Sequence, residues 1–172
     1  MLIESRAAAP FHKNGFLVAC DGSREAVLID PGDEVEALLA IAGARRLSIG
    51  AILLTHGHVD HVSGIAAAKR ATGAPVGLHR EDLFLYENAV EQGRFFGYRV
   101  EPPPPPDFFL AEGAPLSFGC CAVDAHHTPG HSPGGVCLRV RCPEEPGTHL
   151  FVGDTLFAGS IGRTDLPGGD YE

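Results

Sequence analysis

Residues 52–61 read ILLTHGHVDH. An apolar run gives way at once to three histidines and an aspartate: His56, His58, Asp60 and His61 fall within six positions. Imidazoles packed this closely resist taking up protons, and their lone pairs invite a cation. The pattern therefore needs a fold in which a buried strand ends and a helix begins at one mouth of a sheet. In an extended strand end, period two points His56 and His58 to the same side. Asp60 and His61 then open the following helix and turn toward the same mouth. Nitrogen and carboxylate donors without cysteine suit zinc, with iron or manganese as alternatives.

The flanking sequence supplies such a fold. GFLVAC (15–20) and EAVLID (25–30), split by the turn-rich DGSR, read as a hairpin closed by Pro31-Gly32. DEVEALLAIAGARRL (33–47) sets Val35, Leu38, Leu39, Ile41 and Ala42 on one helical stripe, with acids early and arginines late. A buried strand over 49–55 and an Ala-rich helix over 61–73, stopped by Gly73, continue an α/β order. A further helix is expected over 79–97, and the five prolines 102–106 form a stiff polyproline II spacer between two halves of one domain. Beyond it, short apolar runs alternating with Gly/Pro turns predict a β-rich half.

Two later stretches offer more ligands. HHTPGHSPGG (126–135) holds His131 between prolines and glycines that fix the backbone, and LFVGDTLF (150–157) places Asp154 just past an apolar strand. His126 and His127 are weaker candidates, while His12, His79 and His149 read as ordinary polar residues.

Composition limits the partners. The 172 residues suit one domain, 1–172, and a formal net charge of −9 argues against nucleic acid or an anionic membrane. No apolar run of about 18 residues and no export signal are apparent, so the expected compartment is the cytoplasm. The cysteines (Cys20, Cys120, Cys121, Cys137, Cys142) are odd in number and form no C-x-x-C pair. They predict core filler rather than a disulfide framework, with Cys120-Cys121 as a candidate redox pair.

THGHVDH, TPGHSPGG and VGDTLFAGSIGRTDLPGGD, together with NGFLV and VLIDPG, resemble the metallo-β-lactamase superfamily and, within it, the glyoxalase II-like hydrolases. GSIGRTDLPGGD is the more specific piece and is similar to the short group that lacks an added helical domain. The resemblance implies an αββα sandwich with one or two metal ions at one edge. His56, His58 and His131 would hold the first ion, Asp60 and His61 the second, and Asp154 would bridge them. Asp60 would also orient the attacking hydroxide that such an ion makes available near neutral pH.

Relatives of this kind continue beyond GRTD to a last ligating histidine, whereas this chain ends at LPGGDYE. The expectation is an incomplete second half, a weak second site and a tendency to self-associate. The implied activity is hydrolysis of a small-molecule thioester such as S-lactoylglutathione. The alternatives are a mononuclear iron persulfide dioxygenase built on His56, His131 and Asp154, or an inactive metal-binding chain. Arg163, Tyr86, Tyr98 and Arg99 are candidates to meet an anionic substrate, although Arg163 is expected to pair with Asp165.

Overall fold

The computed structural model describes residues 1–143 and 145–172. Its chain order is β1 (Leu2–Ala7), β2 (Asn14–Ala19), β3 (Glu25–Ile29), α1 (Val35–Arg45), β4 (Ser48–Leu53), α2 (Val59–Val62), α3 (Ile65–Thr72) and β5 (Val76–His79). A 3₁₀ turn over Arg80–Asp82 leads to α4 (Leu83–Glu87) and α5 (Ala89–Phe95). Then come β6 (Phe108–Leu110), β7 (Leu116–Phe118), β8 (Cys121–His127), β9 (Val136–Arg141), β10 (His149–Phe151), β11 (Leu156–Phe157) and β12 (Ser160–Ile161).

Strands β1 to β6 form one sheet in sequence order, antiparallel through β3 and parallel from β3 onward. Strands β10-β9-β8-β7 form a second, antiparallel sheet. Successive residues of the central strands enter different cores, as the period of two requires. Leu17, Leu28, Ile52 and Leu78 pack against the helices, together with Leu38 of α1 and Ile65 of α3. Val18, Val27, Ile29 and Leu53 face the second sheet and meet Val123, Leu138, Val140 and Phe151. Burial on both faces explains why these strands read as unbroken apolar runs rather than alternating ones.

The layering is helices, sheet, sheet, the mixed α/β architecture expected. Among the described residues no helix covers the far face of the second sheet. That face carries instead the ion pairs of Asp124 with Arg139 and Arg141. No helix among the described residues is long and apolar enough to cross a membrane.

Several boundaries differ from expectation. Edge strand β1 was not anticipated, because its residues are half-buried or exposed and carry no clear alternation. The helix expected over 61–73 is two, α2 and α3. Gly64 sits between them so close to the carbonyls of Pro31 and Gly32 that a Cβ would lie 2.3 and 2.2 Å from them. The helix expected over 79–97 likewise divides at Asn88, whose Nδ2 donates to the Phe84 carbonyl at 2.7 Å. The proline run is an extended link from α5 to β6, and Tyr86 Oη donates to the Pro104 carbonyl at 2.6 Å.

The cysteine expectation is corrected. Cys121 and Cys142 form a disulfide, with their Cα atoms 4.3 Å apart. The reason lies in register: Ala122 pairs with Arg141, so the next residues out, Cys121 and Cys142, stand opposite each other across β8 and β9. Linear spacing carries no trace of that pairing.

The two-sided core makes a direct prediction. Leu53 is fully buried between the sheets, whereas Leu150 on β10 is 54% exposed. Leu53→Ala is expected to cost about 2–5 kcal/mol in urea unfolding, and Leu150→Ala only about 0.5 kcal/mol or less.

Candidate metal centre

The histidine cluster is not presented by a strand end. β4 stops at Leu53, and Thr55–His58 form a loop that leads into α2. Strand periodicity therefore does not align His56 and His58, as the sequence had implied. Two buried carboxylates do so instead.

Asp30 follows β3, with a φ of 49°, a conformation few non-glycine residues adopt. Its Oδ1 accepts from Thr55 N at 2.7 Å, and its Oδ2 accepts from Thr55 Oγ1 at 2.7 Å. With its proton committed there, Thr55 Oγ1 is an acceptor for His56 Nδ1 at 3.2 Å. This relay fixes the imidazole so that Nε2 turns inward. Asp30 Oδ2 also lies 3.1 Å from His61 Nδ1. Lys13 bonds both the Asp30 carbonyl and Glu34 Oε1, the latter at 2.7 Å, and so closes this base of the site.

Asp82, fully buried, is the second clamp. It accepts from Gly57 N at 2.7 Å, from Ser132 Oγ at 2.8 Å and from Gly134 N at 2.5 Å. One carboxylate thus ties the loop carrying His56 and His58 to the loop carrying His131. His131 Nδ1 donates to the Arg163 carbonyl at 2.7 Å, which leaves Nε2 as the lone-pair nitrogen.

The result is convergence. His131 Nε2 lies 2.8 Å from His58 Nδ1 and 3.2 Å from His56 Nε2. A tetrahedral ion with bonds of about 2.0–2.1 Å would set its ligand atoms about 3.3 Å apart, close to these spacings. Asp154 lies between two groups: its Oδ2 is 3.6 Å from His131 Nε2, and its Oδ1 is 3.4 Å from His61 Nε2. Asp60 Oδ2 stands 3.6 Å from His61 Nε2. All six residues singled out from the sequence, His56, His58, Asp60, His61, His131 and Asp154, are therefore neighbours at one end of the sheets.

Electrostatics favour a cation here. Burial, reinforced by the other imidazoles, drives His56 far below its ordinary pKa and His58 down to about 3, so both are neutral donors. His61 is the opposite case: burial pulls it down, but Asp30, Asp60 and Asp154 outweigh burial and push it up to about 10. A proton on His61 is thus the positive charge these carboxylates draw in when no other is supplied. His61 Nε2 is buried and has no hydrogen-bond partner among the described residues. Buried polar atoms are seldom left so. The donor set, its spacing and the unpartnered His61 nitrogen fit one or two divalent ions.

The sequence profile of the metallo-beta-lactamase superfamily matches residues 8–172. The chain belongs to that superfamily. Hydroxyacylglutathione hydrolase GloC of Haemophilus influenzae is 37% identical over 174 residues, covering all of this chain and 80% of the relative. Among solved structures, the di-iron-bound form of TTHA1623 superposes with a TM-score of 0.83 at 44% identity, covering 97% of this chain and 79% of that one. BLEG-1 B3 metallo-β-lactamase superposes with a TM-score of 0.84 at 36% identity, covering 98% and 79%.

This superfamily member opens its centre into a cavity of about 680 Å³. His58, Asp60, His131 and Asp154 form its polar floor, and Phe11, Leu85, Phe95, Phe96, Phe157, Leu166 and Pro167 line much of the rest. Of the residues proposed to meet substrate, Arg163 lines this cavity, and its guanidinium is held by Asp165 at 2.6 and 2.8 Å. Tyr86 is buried beneath the proline run, and Tyr98 and Arg99 border a separate hollow. His127 and His79 stack on each other 4.2 Å apart, in a separate group with Glu81.

Asp82 gives the sharpest test of how the centre is held. Asp82→Ala strands two backbone N–H groups and a hydroxyl in the interior, each costing about 1–3 kcal/mol. It is expected to lower unfolding free energy by several kcal/mol and metal affinity by about 10–100-fold, measured by denaturation and chelator competition.

Proposed function

We propose that this chain is a metal-dependent hydrolase that cleaves a small-molecule thioester of the S-lactoylglutathione kind. The observation that carries the reading is the convergence of the His56, His58 and His131 imidazoles and the Asp154 carboxylate at the polar end of a largely apolar cavity. The likeness to the Haemophilus influenzae hydroxyacylglutathione hydrolase supports the choice of substrate class.

In this reading His56, His58 and His131 would hold one ion, Asp60 and His61 would hold a second, and Asp154 would serve both. Zinc suits the donors best, and iron and manganese accept the same set. Such an ion would lower the pKa of a bound water to about 7 and would polarise a carbonyl oxygen. The protein does the rest by placement. Asp60, partly exposed at the cavity floor, accepts a hydrogen bond from the attacking water and orients its lone pair toward the carbonyl carbon. The C–S bond then breaks, giving a carboxylate and a thiol. The phenylalanine walls exclude bulk water from the reacting carbonyl and grip the apolar portion of the substrate. His131, locked by the Arg163 carbonyl, keeps its nitrogen aimed at the floor throughout.

Purified protein should release thiol from S-lactoylglutathione. His56→Ala and His131→Ala should lose bound metal, read by elemental analysis, and hydrolysis together. Asp60→Asn should lower kcat by about 10²–10⁴-fold with a smaller effect on KM. A metal-free His56→Ala protein that retains full rate refutes the scheme. Iron content with oxygen uptake on glutathione persulfide, and no thioester cleavage, replaces it with the dioxygenase reading.

A further inference from the structure

A second cluster of reactive side chains lies where strand ends of the two sheets meet, and it owes nothing to the metal centre. Cys20 follows β2 in the first sheet, and Cys120 sits in the turn between β7 and β8 of the second. Their sulfurs are 2.7 Å apart, and Cys120 N donates to Cys20 Sγ at 3.3 Å. The two turns are pressed together because Gly119, at φ 55°, has no side chain. A Cβ there would lie 2.8 Å from Cys20 Cβ and 2.9 Å from Cys20 Sγ. Gly119 N also donates to Glu25 Oε2 at 2.8 Å, which holds the second turn against the first sheet.

The sulfur of Cys121 completes the group, within 4.8 Å of the other two, and is itself bonded to Cys142. The roles of Cys20 and Cys120 follow from their exposure. Cys120 is exposed and Cys20 is buried. Burial raises the Cys20 thiol, but hydrogen bonds from the Cys120 thiol and amide, Ser23 and the Gly22 backbone bring it down to about 7. A buried sulfur in contact with an exposed one is the arrangement of a resolving cysteine behind an attacking one.

We propose that Cys20 and Cys120 are a redox-active dithiol that closes to a disulfide on reaction with a small-molecule disulfide such as oxidised glutathione. The exposed Cys120 sulfur passes its proton to the Cys20 sulfur beside it and attacks one sulfur of the oxidant. The S–S bond breaks, one glutathione thiolate leaves, and a mixed disulfide forms on Cys120. The Cys20 thiolate then attacks the Cys120 sulfur and expels the second glutathione thiolate. Two protein thiols and one oxidised glutathione become one protein disulfide and two glutathione molecules. Closure from 2.7 Å to the bonded distance of about 2.05 Å asks little of either turn. It cross-links the first sheet to the second across 100 residues of sequence, a long loop of the kind in which a disulfide restricts the unfolded chain most.

The test is a peptide map of the intact protein after incubation with oxidised glutathione, followed by alkylation under denaturing conditions. The expected product is a Cys20–Cys120 linked peptide that dithiothreitol removes, with a higher melting temperature for the oxidised protein. Buried Cys137 serves as the internal control and stays alkylatable. Cys20→Ser should accumulate glutathione on Cys120, and Cys120→Ser should show neither linked peptide nor adduct at Cys20. Full alkylation of both Cys20 and Cys120 in the wild-type protein, or a glutathione adduct on Cys120 that Cys20 never resolves, overturns the proposal. The wild-type map decides even if either variant fails to fold.

Discussion

The buried carboxylates Asp30 and Asp82 are what the metal centre depends on. Neither lines the cavity floor, yet each fixes the loop that does. Asp30 reaches His56 through the Thr55 hydroxyl and stands beside His61; Asp82 joins the His56–His58 loop to the His131 loop through two backbone amides and a serine. A carboxylate is well suited to this work, because it accepts several hydrogen bonds at once and charge-assisted bonds are the stronger kind. A loop outside a regular strand needs such partners, since its amides have no ladder to satisfy them.

The same carboxylates set the charge balance. Asp30, Asp60 and Asp154 surround His61, while His56, His58 and His131 are stacked edge to face within 4.8 Å of one another. Buried charge of one sign is costly unless compensated. In this pocket compensation comes either from a proton on His61 or from a divalent ion that takes its place. The hydrophobic sandwich provides rigidity for this arrangement: β3 and β4, buried on both faces, deliver Asp30 and Thr55 side by side, and the Val136 amide bonds the Thr55 carbonyl at 2.8 Å to join the second sheet.

Much of this was legible in the sequence, and the misses have physical causes. The six donor residues are recognisable because ligand chemistry restricts residue type so strongly. The α/β order follows from apolar runs whose lengths separate strand from helix. Asp30 and Asp82 escaped notice because an aspartate in VLIDPG or HREDL reads as a turn or helix cap, and only the fold shows whose amides it accepts. The mechanism inferred for aligning His56 and His58 was wrong for a related reason: periodicity describes a strand, and here the strand had already ended. The phenylalanines of the cavity wall come from α5 and the residue that follows it, β11 and the loop before β2, and no linear pattern joins them. The Cys121–Cys142 bond depends on strand register, which spacing does not encode.

The central claim is that imidazoles drawn from two separate loops grip one cation. Anomalous diffraction from crystals of the purified protein, collected at the edges of zinc, iron and manganese, measures this most directly. The account predicts a peak about 2.0–2.3 Å from His56 Nε2, His58 Nδ1 and His131 Nε2. A protein whose three imidazoles remain in place with no anomalous peak among them, even after soaking in each metal, would contradict it.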